Sequence, residues 1–184
     1  DDGQLLGIVT LGDVRGAQPS PATSLSIWEM NYLLSSLDVD KIMTPDPITV
    51  KLETSLPEVH QIMVSEEIRR LPVVDDDGQL LGIVTLGDVR GAQPSPATSL
   101  SIWEMNYLLS SLDVQKIMTP DPITVHPEQT IGEAARIMLE NRISGLPVTR
   151  TDGRLVGIIT ESDIFSMVVL HEWSEEYAAD REKD

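Results

Sequence analysis

The chain has 184 residues, 30 of them acidic against 13 lysines and arginines, which gives a formal net charge of −17 and a pI near 4.3. No window supplies the basic stripe that neutralising a nucleic-acid backbone requires, and no apolar run approaches the roughly 20 residues of a membrane helix, so neither nucleic acid nor membrane is expected as a partner. Hydrophobic residues at 41% can fill a core in one or two compact units, and the lack of cysteine removes disulfides, thiolate nucleophiles and cysteine metal cages and fits a cytoplasmic location.

The first residues, Asp1-Asp2-Gly3, read as neither a signal peptide nor a natural start. Residues 1–50 and 76–125 agree at 49 of 50 positions, Asp40 against Gln115 being the one difference. Such near-identity through a loop and an exposed helix has no folding rationale, because surface positions tolerate most substitutions. It marks a recent or assembled origin. Continuing the same offset of 75, residues 51–75 and 126–150 share only 8 of 25 positions, and 76–89 and 151–164 share 7 of 14. This weaker likeness keeps core and turn residues, among them Leu71-Pro72-Val73 with Leu146-Pro147-Val148, and reads as an older structural duplication.

One unit reads in order along the chain. Pro47-Ile48-Thr49-Val50 is a β-branched strand entry. Leu56, Val59, His60, Ile62 and Met63 recur near a period of 3.6 and predict a helix over 55–66. Leu71–Val74 and Leu80–Val84 predict two strands about a hairpin at Asp75-Asp76-Asp77-Gly78, where Gly78 takes positive φ. Thr85 stands at the N-cap of a following helix. The second copy runs Pro122–Val125, a helix over 130–141, Leu146–Val148, Leu155–Ile159, and a longer helix from Glu161 to about Val169. Between the copies lies a Pro/Ser loop and a helix opened by Ser101 and Glu104 at capping-box spacing; the identical stretch 26–37 predicts the same helix before the first unit. The division is therefore 1–39, a partial duplicate of 76–114; 40–90, the first unit; 91–114, a linker with a helix; 115–171, the second unit; and 172–184, an acidic tail.

The doubled β-α-β-β-α order, with Lys-Ile-Met-Thr-Pro-Asp-Pro-Ile-Thr-Val at 41–50 and 116–125, Leu-Pro-Val at 71–73 and 146–148, and Gly-Ile-hydrophobic-Thr-x-x-Asp at 82–88 and 157–163, resembles a CBS-domain pair, or Bateman module. The resemblance covers about 40–170. It implies an α+β fold in which tandem CBS motifs form a pseudo-twofold pair, flat disc-like homodimers, and a regulatory, non-catalytic module that binds AMP, ADP, ATP or S-adenosylmethionine in two clefts between the copies, with no metal required. It also implies that the motif Asp holds ribose hydroxyls and the Thr lies near phosphate. Carried over by position, one cleft combines Thr160, Ser162 and Asp163 with Met43, Ile48, Ile68 and Arg69. Its mate combines Thr85 and Asp88 with Met118, Ile123, Ile143 and Ser144.

The residues themselves agree in part. A carboxylate can accept hydrogen bonds from both hydroxyls of a cis-diol, and a hydroxyl at a helix N-terminus suits a phosphate. The plainer alternative is that Thr and Asp are a cap and a first-turn dipole partner. Arg69 ranks the clefts: a phosphate in so acidic a protein needs a local cation, which Arg69, helped by Arg70, supplies, and Ser144 stands at the matching place, so the Asp163/Arg69 cleft is expected to bind more tightly. A competing reading is a structural dimerisation module with unoccupied clefts, carried by Trp103, Tyr107 and apolar helix faces. No nucleophile–base pair emerges, and an enzyme ranks third.

His60, His126 and His171 have no metal-binding spacing, and Asp75-Asp76-Asp77-Gly78 lacks the further ligands of a calcium loop. Trp28, Trp103 and Trp173 suit helix packing or dimer contacts. Residues 1–16 repeat the third strand and motif of a unit without its first half. Thr10 and Asp13 therefore lack an opposing half-site, and the fragment is expected to be disordered or to pair in trans.

Overall fold

The computed structural model describes residues 27–92 and 111–169. The expectations for residues 1–16, the helix opened by Ser101, the tryptophans at 103 and 173, the side chain of Trp28 and the acidic tail lie outside the described residues. In chain order the elements are α1 (Ile27–Ser36), a 3-10 turn (Val39–Lys41), β1 (Thr44–Pro45), α2 (Leu56–Ser65), β2 (Arg70–Val74), β3 (Leu80–Thr85), α3 (Leu86–Gly91), α4 (Val114–Ile117), β4 (Thr119–Pro120), α5 (Ile131–Asn141), β5 (Gly145–Thr149) and β6 (Leu155–Thr160), followed by α6 over 161–169.

The long helices form where the 3.6 period places them. Helix α2 is capped at Ser55 and carries Pro57 in its first turn, where a missing N–H costs nothing. Helix α5 begins with a full capping box between Thr130 and Glu133. Each turns Leu56, Val59 and Met63, or Ile131, Ala134 and Met138, into the interior. The β2–β3 hairpin closes as the sequence predicts: Gly78 has φ +80°, and Asp75 Oδ1 accepts the amides of Asp77 (3.0 Å) and Gln79 (2.8 Å). That carboxylate shapes a turn.

The strand expected at Pro47–Val50 is shorter than its composition suggests. Only Val50 joins the ladder, in a single parallel bridge to Val73, and Val125 does the same with Val148. Two prolines in or before each stretch, Pro45 and Pro47, and Pro120 and Pro122, leave few N–H groups to pair. The regular strands start earlier and go elsewhere. β1, from the first copy, pairs with β6 of the second (Thr44 opposite Ile158, Pro45 opposite Gly157). β4, from the second copy, pairs with β3 of the first (Ile83 opposite Thr119, Gly82 opposite Pro120). The two sheets are therefore β1-β6-β5 and β2-β3-β4, and each contains a strand of the other copy.

The cores are exchanged in the same way. Val114, from the start of the second copy, is buried with Val50, Leu56, Val59, Met63, Leu71, Val73, Val84 and Val89. Val39 is buried with Val125, Ala134, Met138, Leu146, Val148 and Ile159. Each fully buried aliphatic side chain of this size stabilises by about 1.5–3 kcal/mol, so each copy depends on the other for part of its interior. The backbone bridges between the copies follow the offset of 75: Asp38 with Thr130 matches Ser55 with Asp113, and Gln79 meets its own counterpart Arg154 at the hairpin tips. A pseudo-twofold axis thus runs between the copies.

Met43 and Met118 seal this exchange. A Cβ on Gly82 would lie 2.5 Å from the Met118 sulfur, and the three atoms nearest a Cβ on Gly157 all belong to Met43. Glycine in the Gly-Ile motif is thereby required by close approach of the other copy. Gly157→Ala should destabilise by about 1–3 kcal/mol through overpacking; in a Met43→Ala background the same substitution should cost distinctly less, as a urea-unfolding cycle would show.

Candidate functional site

Thr85 and Thr160 end β3 and β6, and each is held by the Asp three residues on. The Thr85 N–H and hydroxyl both donate to Asp88 Oδ2 (2.8 and 2.7 Å), and Asp88 N–H returns to Thr85 Oγ1 (3.3 Å). The Thr160 and Asp163 set repeats this at 2.7, 2.7 and 3.4 Å. Both Thr-x-x-Asp motifs are therefore capping boxes. The cap and a ligand role are compatible, because a carboxylate has a second oxygen.

A cavity of about 680 Å³ opens between the copies beside Thr85, within the range of small-molecule sites. β3 and α3 supply Ile83, Thr85, Leu86, Gly87 and Arg90; the entry to β2 supplies Arg69 and Arg70; the second copy supplies Thr119, Asp121, Pro122 and Ile123 on one side and Arg142, Ile143, Ser144, Gly145 and Pro147 on the other. Its wall is apolar around Ile123, which is 45% exposed, and cationic around four arginines. Of the residues expected for this cleft, Thr85, Ile123, Ile143 and Ser144 line it, whereas Asp88 and Met118 do not. Asp88 is turned to its cap, and Met118 is spent on Gly82 and the first core.

The residues expected around Asp163 are placed differently from one another. Ile48 is 43% exposed, matching Ile123; Ser162 is exposed in the first turn of α6, and Thr160 and Asp163 are half-buried beside it. Met43 packs on Gly157, and Ile68 packs against the first core. Arg69 was expected beside Asp163. It lines the Thr85 cavity, and the cation under the influence of Asp163 is its neighbour Arg70. Both arginines reach the wall of the Thr85 cavity, and Arg70 extends from there across to Ser144.

Arg70 lies across the pseudo-axis. Its Nη1 donates to the Ser144 carbonyl and its Nη2 to Ser144 Oγ (2.6 Å). The guanidinium occupies the space where a side chain on Gly145 would project. Burial holds Arg70 below the usual arginine pKa, while the Asp163 carboxylate raises it and Arg69 lowers it; arginine remains protonated throughout the neutral range. His126 is exposed, and its Nδ1–H donates to the Thr149 carbonyl (2.8 Å). Among the described residues, no three His, Cys, Asp or Glu side chains converge on a cation position, and no helix is long and apolar enough to cross a membrane.

With two interlocked β-α-β-β-α units and a cavity between them established, comparison with known proteins is direct. A family model for the CBS domain matches residues 39–95 and 114–170. The chain belongs to the CBS-domain family. A CBS domain-containing protein of Dictyostelium discoideum is 34% identical over 131 residues, 71% of this chain and 90% of that protein. The homoserine O-acetyltransferase of Methanosalsum zhilinae is 32% identical over 167 residues, 89% of this chain, but the match spans only 31% of the enzyme. Among solved structures, Arabidopsis thaliana CBSX2 in complex with AMP superposes with a TM-score of 0.65 at 27% identity, covering 74% of this chain and 99% of that one. A CBS domain pair in complex with 5′-methylthioadenosine and S-adenosyl-L-methionine gives 0.59 at 30% identity, covering 71% and 94%. The fold is the α+β CBS pair.

Within this CBS pair, sequence reasoning missed Arg90 and Arg142. Arg90 was legible: it lies two residues past Asp88, on the same short helix. Arg142 was not, because it reaches the cavity from a left-handed C-cap (φ 55°), a place where glycine is the usual choice. Thr85→Ala and Thr160→Ala should each lower stability by about 1 kcal/mol through loss of the cap, while the serine variants should stay near wild type. Denaturant midpoints would measure this without any ligand.

Proposed function

We propose that the chain is a regulatory module without chemistry of its own, and that it binds an adenosine-type ligand in the cavity beside Thr85. The observation that carries the reading is the composition of that wall: apolar Ile123 and Ile143 where a planar base can rest, with Arg69, Arg70, Arg90 and Arg142 where an anion can lie. The structural neighbours that hold AMP, or methylthioadenosine with S-adenosylmethionine, support the ligand class. Because both copies wall the cavity, a ligand bridges them, and it can bias the arrangement of the pair, or of a homodimer, by its difference in affinity between arrangements. Arg69 in the wall of this cavity supports the Thr85 side as the tighter one.

A dimeric assembly has separate support. Val64 and Leu139, related by the offset of 75, are 61% and 67% exposed on equivalent helix faces. A purely structural module would show concentration-dependent mass with no ligand-dependent rise in melting temperature.

Isothermal titration of AMP, ADP, ATP and S-adenosylmethionine into the full chain tests the proposal. At least one should bind, and Arg69→Ala should weaken a phosphate-bearing ligand by about tenfold or more. Absence of heat with all four ligands from folded protein would overturn it.

A further inference from the structure

The duplication supplies an internal control, because the two clefts share a backbone and differ in side chains. Thr85 corresponds to Thr160, Ile123 to Ile48 and Asp121 to Asp46. The backbones correspond closely: Arg142 and its counterpart Glu67 have φ of 55° and 56°, and Asp121 and Asp46 have 45° and 43°. Side chains at matched positions therefore leave the chain in matched directions.

What differs is charge. The Thr85 cavity has Arg69, Arg90 and Arg142 in its wall. The matched positions on the Thr160 side are Ser144, Phe165 and Glu67, and Phe165 is 43% exposed. At these three positions, three cations on one side stand against one anion and no cation on the other, while Asp121 and Asp46 are common to both. Arg70, the fourth arginine, lies on the axis, held by Ser144 and facing Gly145.

We infer that the Thr85 cavity selects a nucleotide with two or more phosphates, that the Thr160 cleft takes no such anion, and that each chain therefore holds one polyphosphate. The inference rests on the adenosine reading above and adds the ligand's charge, the cleft and the stoichiometry. A single phosphate group is served by one or two guanidinium forks. Three forks around one cavity match a chain of phosphates, and they also offset the repulsion that a chain of net charge −17 exerts on a polyanion. Arg90 and Arg142 are the specificity-determining residues, since they add positive charge beyond the Arg69 and Arg70 pair.

The test titrates ATP, ADP, AMP, adenosine and inorganic tripolyphosphate into the full chain in buffer free of divalent cations. ATP and ADP should bind at one per chain and about tenfold or more tighter than AMP, with tripolyphosphate competing. Arg90→Gln and Arg142→Gln should each weaken ATP by about tenfold while moving adenosine by less than about threefold, and Arg142→Lys should recover part of the loss. Unchanged urea midpoints would exclude misfolding as the cause. Equal affinity for ATP and AMP, or two ATP per chain, would overturn this inference and leave the adenosine reading standing. Binding of tripolyphosphate alone, or no binding by any of the five, would overturn both.

Discussion

The exchange of opening segments between the copies is the constraint from which the rest follows. Residues 38–45 complete the sheet and core of the second copy, and 113–120 complete those of the first. Glycines 82 and 157 permit it, because only a residue without a Cβ lets the methionine of the other copy lie on the strand. Once the segments cross, the chain must leave β1 or β4 along the boundary, and Ile48 and Ile123 emerge there with close to half their surface exposed. An apolar surface at a boundary between two cores is a consequence of the crossing. The geometry of the cavity is thus set by the same contacts that set stability.

Much of this was legible from residue type and spacing. The apolar period of Leu56, Val59, Ile62 and Met63 and its repeat over 130–141 gave both long helices, Asp75 with Gly78 gave the hairpin, and Thr85 with Asp88 gave the cap. These features are local, and local chemistry decides them. The destination of β1 was not legible, since two residues carry no signal of which sheet receives them. Nor was the divergence of Arg69 and Arg70: spacing places both at the mouth of β2, and only the position of the pseudo-axis sends one across to Ser144 and the other into the cavity. The methionines show a third limit. A residue conserved between copies at a cleft-facing motif can be there for the opposite copy's glycine.

The duplication also explains how one scaffold carries two unlike clefts. Backbone geometry is preserved at the caps, at the left-handed positions 67 and 142, and at the turns, because the exchanged cores leave little freedom there. Side chains at the mouths are free of that restraint, and arginines accumulate on one side alone. Aspartates 46 and 121 are retained on both sides, so the difference comes from the arginines.

Arg70 and Gly145 are counterparts in the repeat, and they touch each other across the axis. Two arginines there would collide, and two glycines would leave the Ser144 carbonyl without its cross-copy donor. Neither residue can be copied onto its twin by a single change without loss, so drift at the two sites is coupled. The repeat has in this way acquired a fixed polarity, and making the two halves identical at this pair of positions would cost one contact or create one clash.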